Sequence, residues 1–283
     1  MKRAGGIAIL VLIGLMPLGC SPFNFFYYPN RRLYNDPDRL GIKNQTVSYP
    51  SLNGRTLYAV FFPADQKPKG TIVHFHGNFG NVSNHFPLAL FLTRRGYDVL
   101  SFDYEGYGAS EGRPTPDRTI ADGIASVRYA RDHVRTPGAG VAIFAQSLGG
   151  AIGIVVAARE PEVRGAVIEA AFSSYRRMGE VAMKRHFITW PLLALAPFIG
   201  RVDDPLRWIS HIAPRPVLLI HGDQDAIVPV GMSKELFAAA RDPKQLWIVP
   251  GAGHLEVHRV AGSEYENRIA DFFDRALGTP AHQ

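Results

Sequence analysis

Residues 141–158 read V-A-I-F-A-Q-S-L-G-G-A-I-G-I-V-V-A-A. The apolar run Val141–Phe144 predicts a buried strand, and Gly149–Ala158 predicts a helix directly after it. Between them, A-Q-S-L-G-G places a small residue two before Ser147 and a glycine two after it. That spacing belongs to a strand-to-helix turn so tight that only small flanking side chains avoid the neighbouring backbone. Such a turn lifts the Ser147 hydroxyl to the top of the sheet. It also sets the Leu148 N–H at a helix N-terminus, where an oxyanion is stabilised. Taken alone, such a string also occurs in plain strand–helix turns, so the serine needs partners elsewhere in the chain.

Working outward, short apolar runs alternate with helix-length segments. Strands are expected at Leu57–Phe62, Thr71–Phe75, Asp98–Phe102, Val141–Phe144, Ala166–Ile168, Val217–Ile220 and Leu246–Val249. Amphipathic stretches at Val82–Arg94, Asp117–His133, Gly149–Ala158, Gly231–Arg241 and Ser263–Leu277 separate or follow them. The alternation predicts an α/β fold with a mostly parallel, doubly wound sheet. Ligands in such folds bind outside the carboxyl ends of the strands. Between Glu169 and Val217 no strand is expected. Ser173–Pro214, with its run P-L-L-A-L-A-P-F-I-G, reads as a small helical cap over the strand ends, or else as a long crossover helix. The expected organisation is a signal at 1–20, an arm at 21–46, a main domain at 47–277 with its cap at about 173–214, and a tail at 278–283.

A serine hydroxyl is a poor nucleophile until a base takes its proton, and that base needs orienting. After Val217–Ile220 comes H-G-D-Q-D-A-I-V-P, which offers Asp223 and Asp225; after Leu246–Val249 comes P-G-A-G-H, which sets His254 on a glycine-rich loop. After Thr71–Phe75 comes H-G-N-F-G-N. Its third residue, Asn78, is the expected second backbone oxyanion donor, with Phe79 as the fallback.

These strings together resemble the α/β-hydrolase-fold serine hydrolases of the Bem46-like group, also described as serine-aminopeptidase-like. The likeness rests on H-F-H-G-N-F-G-N, F-D-Y-E-G-Y-G-A-S-E-G (Phe102–Gly112), F-A-Q-S-L-G-G, H-G-D-Q-D-A-I-V-P and G-A-G-H, and spans about Val47 to Leu277. It implies Ser147 as nucleophile, Asp225 rather than Asp223 as the acid, and His254 as the base, with no cofactor. It implies cleavage of an ester, thioester or amide carbonyl through an acyl-enzyme, the oxyanion held by the N–H groups of Leu148 and Asn78. Where the group usually carries Arg, this chain has Glu105, which removes a positive charge. The group holds esterases, protein thioesterases and peptidase-like members, so it does not fix the substrate. Acyl transfer on the same residues and a non-catalytic lipoprotein on a hydrolase fold are the rival readings. Serine at 147 speaks against dehalogenases and epoxide hydrolases, which use Asp there.

Of 283 residues, 46% are hydrophobic and 20% charged, with one cysteine and a net charge of +6. This excludes a disordered chain and a disulfide framework. No basic run exceeds two residues, so no nucleic-acid stripe is present. Lys2 and Arg3 precede an apolar stretch, Ile7–Met16, of signal-peptide length. The following L-G-C-S resembles a bacterial lipoprotein signal with Cys20 as the lipidated residue; a plain cleaved signal and a retained anchor are the alternatives. The expected address is the cell envelope, with a lipid anchor in the membrane and the domain facing the periplasm or exterior. The aromatic segment Pro22–Tyr34 is expected to pack on the domain rather than lie at a membrane interface. The expected substrate is a small-molecule or lipid acyl ester, the cap's apolar run suiting an acyl chain. No metal site is expected: the H-x-H of His74 and His76 lacks an acid at 78, and Glu256 breaks the H-E-x-x-H order between His254 and His258.

Overall fold

The computed structural model describes residues 26–134, 139–184 and 202–278. In chain order the strands are β1 (Tyr28–Pro29), β2 (Gln45–Pro50), β3 (Thr56–Phe62), β4 (Gly70–Phe75), β5 (Phe79–Gly80), β6 (Tyr97–Phe102), β7 (Gly140–Gln146), β8 (Val163–Glu169), β9 (Val217–Gly222) and β10 (Lys244–Val249). The longer helices are α1 (Pro116–Tyr129), α2 (Leu148–Arg159), α3 (Tyr175–Lys184), α4 (Val230–Ala239) and α5 (Ser263–Gly278). Eight strands form one sheet in the order β10-β9-β8-β7-β4-β6-β3-β2. From β10 to β6 every pairing is parallel; β3 pairs antiparallel with both β6 and β2.

The two-residue period of a strand sends neighbours to opposite faces, and both faces are covered. On one side Val73, Phe75 and Ile143 pack with Ile120 and Ile124 of α1, Ile152 of α2 and Leu236 of α4. On the other, Ile72 and Phe144 pack with Tyr265, Ile269, Phe272 and Phe273 of α5. Strands β4, β6 and β9 are therefore buried at every position. Helix α1 starts where Thr115 accepts from the Arg118 N–H and Pro116 opens the first turn.

All seven expected strands are present, and the structure adds β2 to the main sheet and the short β1–β5 pair beside it. Its sequence, Q-T-V-S-Y-P, buries only Tyr49 fully, as an outer strand does, so it lacks the apolar run that reveals a central strand. The expected helix over Val82–Arg94 is three short pieces: Val82–His85, a 3₁₀ turn at Phe86–Leu88, and Phe91–Arg94. Pro87 has no N–H and clashes with the preceding turn, which breaks the helix there. Of the expected cap, Tyr175–Lys184 and Pro205–Trp208 are helical; residues 185–201 lie outside the described ones. Among the described residues no helix is long and apolar enough to cross a membrane.

The described part of the N-terminal arm packs on the domain. Phe26 and Tyr27 are buried, the Tyr27 hydroxyl lying 3.3 Å from both Thr119 Oγ1 and Tyr175 Oη. Strand β1 runs parallel to β5, just beyond the carboxyl end of β4. The arm is thus one wall of the region above the sheet.

Candidate active site

Strand β7 passes into α2 at Ser147, whose backbone sits at φ 55, ψ −119. A non-glycine residue held there costs roughly 1–3 kcal/mol. The reason for glycine two residues on is direct: a Cβ at Gly149 would lie 2.3 Å from Phe75 O and 2.5 Å from His76 O. The first turn of α2 rests on the exit of β4, and only a bare backbone fits. Ala170 and Leu255 also hold positive φ, at 52 and 57. They follow the end of β8 and His254, so strain gathers around one spot.

The loops after β9 and β10 bring His254 to Ser147. His254 Nε2 lies 3.0 Å from Ser147 Oγ, and its Nδ1 lies 2.7 Å from Asp225 Oδ2. With Nδ1–H donating to the carboxylate, Nε2 is free to accept the serine proton. Asp225 is itself fixed, because its Oδ1 accepts the N–H groups of Ile227 and Val228 at 2.7 and 2.8 Å. Burial works to raise the Asp225 carboxyl, yet hydrogen bonds from His221 and His254, the His254 charge and the Val228 N–H hold it well below the ordinary carboxylate range. It is the charged partner an imidazolium needs. Asp223 plays another part: its Oδ1 accepts the Gly251 N–H at 2.7 Å, tying the β9 loop to the loop that carries His254.

Ser147, Leu148 and Asn78 line one cavity of about 160 Å³, with Phe26, Tyr28, Phe172, Met178, Ala182, Ile227 and Val228. Both peptide planes flanking Asn78 are pinned. His76 Nδ1–H donates to Gly77 O at 2.7 Å, while the Tyr28 N–H and Tyr107 hydroxyl donate to Asn78 O at 3.0 and 2.8 Å. Held in this way, the peptide groups on either side of Asn78 have little freedom to turn.

Several supporting residues escaped the sequence reading. His221 Nε2–H faces Val228 O at 2.9 Å and Asp225 Oδ2 at 3.2 Å, while the Ser233 hydroxyl donates to its Nδ1 at 2.6 Å. Beneath the elbow runs a buried chain of polar groups. Ser101 meets His74 at 2.8 Å, His74 Nε2–H donates to Gln146 Oε1 at 3.2 Å, and Gln146 Nε2 and the Tyr265 hydroxyl donate to Glu169 Oε2 at 2.7 and 2.8 Å. Burial lowers His74 to about 3, so it is neutral, and burial raises the Glu169 carboxyl. The Glu169 carbonyl also accepts the Ser147 N–H at 2.8 Å. The available signal was a polar residue ending an otherwise apolar strand, at Gln146, Glu169 and His221.

Asp103 accepts the Val82 N–H at 2.6 Å and faces His76 Nε2 at 3.4 Å, organising the loop after β4. The Glu105 carboxylate is buried and held by Asn53 at 3.0 Å, Ser51 at 3.4 Å and Arg118 at 3.6 Å. His74 is held by Ser101 and Gln146, and His76 by Gly77 O through Nδ1, with its Nε2 turned toward Asp103. Among the described residues no group of three or more His, Cys, Asp or Glu is placed to hold a metal ion.

The sheet order, with a serine on a strained strand–helix turn and an acid and a histidine after the last two strands, defines an α/β-hydrolase. Within that class the chain belongs to the serine aminopeptidase S33 family (Hydrolase_4), whose model matches residues 66–213. It is similar to YfhR of Escherichia coli (strain K12), 29% identical over 90% of this chain and 88% of that protein. It is also similar to the protein bem46 of Schizosaccharomyces pombe, 24% identical over 87% and 82%. Among solved structures, the esterase Pf2001 of Pyrococcus furiosus superimposes with a TM-score of 0.74 at 23% identity, covering 88% of this chain and 98% of that one. The protein is therefore a hydrolase.

Proposed function

We propose that this hydrolase cleaves carboxylic esters or thioesters through a covalent acyl-enzyme on Ser147. The observation that carries the reading is the continuous relay from Ser147 Oγ through His254 to Asp225, at 3.0 and 2.7 Å. His254 Nε2 takes the serine proton as Oγ attacks the acyl carbonyl, and the Leu148 and Asn78 N–H groups meet the oxyanion. The imidazolium then returns its proton to the leaving alcohol or thiol. Water, deprotonated by the same His254, releases the acid and restores Ser147. Each backbone donor of this kind contributes about 2.7–4 kcal/mol to the barrier reduction.

The cavity walls favour an apolar acyl group over an aminoacyl one. Phe26, Phe172, Met178, Ala182 and Val228 are apolar, and no acidic side chain lines the cavity among the described residues to receive an α-ammonium group. A chain-length series of p-nitrophenyl esters, acyl thioesters and aminoacyl p-nitroanilides tests this. Esters and thioesters of short to medium chains should be turned over best, and Ser147→Ala should abolish that turnover. A preference for aminoacyl amides would overturn the reading.

The proposed address is the cell envelope, with Cys20 carrying the lipid. The support is the basic start, the apolar Ile7–Met16 run and L-G-C-S, together with a catalytic scheme that uses no thiol. Cys20→Ala should end incorporation of radiolabelled palmitate, and label persisting in that variant would contradict the anchor.

A further inference from the structure

Most large apolar side chains in this fold are buried, and three of the exposed ones lie at or beside the Ser147 cavity. Tyr28 is 48% exposed, Phe79 53% and Ile227 46%. Tyr28 and Ile227 line the cavity that holds Ser147. Phe79 is the register partner of Tyr28 across β1 and β5, which places both on the same face of that ribbon. The Tyr34 ring meets the Phe79 ring edge-on at 6.2 Å, and the Arg32 guanidinium lies over Tyr34 at 5.3 Å from its centroid. Arg31 and Arg32 are both exposed. The rings of Tyr28, Phe79 and Tyr34 thus follow one another along the arm, with Arg32 over the last of them; Arg31 and Arg32 line the neighbouring cavity, and Ile227 stands on the loop after β9.

Water is a poor neighbour for such a row of rings, and a contiguous apolar patch beside an active-site mouth marks a docking surface. Two observations choose its occupant. The basic side chains bordering the rings complement an anionic lipid surface, where apolar side chains enter the headgroup boundary and arginines stay at the phosphates. The chain also enters the domain here: Phe26 lines the cavity, and the apolar Ile7–Met16 run lies ten residues upstream of it in sequence. We infer that the cavity mouth is a membrane-docking rim of Tyr28, Phe79, Ile227, Arg31 and Arg32, through which the acyl chain of a bilayer-resident ester reaches Ser147. The substrate half of this inference rests on the hydrolase chemistry proposed above; the docking half does not.

The test uses the full chain in a Cys20→Ser background, so that one introduced thiol carries a nitrobenzoxadiazole dye. Phe79→Cys puts the dye on the rim. Arg164→Cys puts it on an exposed position at the amino end of β8, the opposite end of the sheet. On phosphatidylcholine–phosphatidylglycerol vesicles the Phe79 dye should shift to the blue and be quenched by spin-labelled lipid tails, while the Arg164 dye does neither. Adding Arg31→Gln and Arg32→Gln should shrink the rim response on these vesicles and leave it unchanged on pure phosphatidylcholine.

Equal responses at both positions, or no response at the rim, would overturn the inference. Blue emission before vesicles are added would overturn it too. If independent of dilution, such emission assigns the rim to another part of the chain; if lost on dilution, to a second copy. Turnover of soluble p-nitrophenyl butyrate by the wild-type chain is measured alongside. Its absence would remove the hydrolase chemistry while a responding rim dye stands; a silent rim dye with turnover intact would remove docking alone.

Discussion

Replacing Asp225 by asparagine isolates the orienting carboxylate with almost no change of shape. Oδ1 of the new amide keeps the Ile227 and Val228 N–H groups, which lie at 2.7 and 2.8 Å in the wild type. Its NH₂ then faces His254 Nδ1 at 2.7 Å and His221 Nε2 at 3.2 Å, where two ring N–H groups donated before. Two donors cannot face each other, so His254 must accept at Nδ1 and carry its proton on Nε2. That proton points at Ser147 Oγ, 3.0 Å away, and no base remains for the serine. The wrong tautomer in a serine triad lowers kcat by about 10⁴, or roughly 5.5 kcal/mol at about 1.36 kcal/mol per tenfold. The assay is kcat on soluble p-nitrophenyl butyrate, with circular dichroism to show an intact fold. Asp223→Asn is the paired control, since an asparagine oxygen still accepts the Gly251 N–H and activity should stay within about tenfold of wild type. If Asp225→Asn stayed within tenfold while Asp223→Asn lost a thousandfold, the relay described here would be refuted.

Backbone strain at φ 55 should make Ser147→Gly more stable than Ser147→Ala by about 1 kcal/mol in urea unfolding, with both inactive; equal stabilities would deny the strain. Gly149→Ala drives a methyl into Phe75 O and His76 O, fixed backbone atoms, and should cost about 1–3 kcal/mol or prevent folding; a neutral result would show that the elbow gives way. Burial pushes the Asp122 carboxyl up to about 8, the Glu105 carboxylate adding to it against the Glu105 N–H and Arg118. The folded chain thus keeps a proton that the unfolded chain releases above about pH 4. The Asp122 contribution to stability should therefore fall as pH rises from there through 8, so the wild type should lose stability relative to Asp122→Asn across that range in thermal unfolding. Met178→Trp fills part of the 160 Å³ cavity and should reduce turnover of p-nitrophenyl octanoate far more than of the acetate; an unchanged chain-length profile would place the acyl chain elsewhere.

The central strands were legible because burial on both faces forces unbroken apolar runs, and Val141–Phe144 and Val217–Ile220 are such runs. The edge strand β2 was not, since an outer strand needs only Tyr49 inside. The break in Val82–Arg94 was written in Pro87, whose missing N–H outweighs the amphipathic pattern around it. At the site, Ser147 and His254 were marked by glycines that the tight loops require. The geometry separates Asp223 from Asp225, two residues apart in sequence, by sending one to Gly251 and the other to His254. The Glu169–Gln146–His74 chain was hidden because its members lie on three strands and meet only when those strands pair. The wall formed by Phe26 and Tyr28 was hidden for a similar reason: nothing in an aromatic arm says which face of the domain it will cross.

The most direct test of the relay is where a covalent inhibitor attaches. The chain is reacted with a fluorophosphonate, digested, and its peptides weighed. A Ser147–His254 relay gives one adduct on the peptide holding Ser147, formed quickly by the wild type, slowly by His254→Ala and not at all by Ser147→Ala. An adduct on another residue, or labelling that persists in Ser147→Ala, would contradict it.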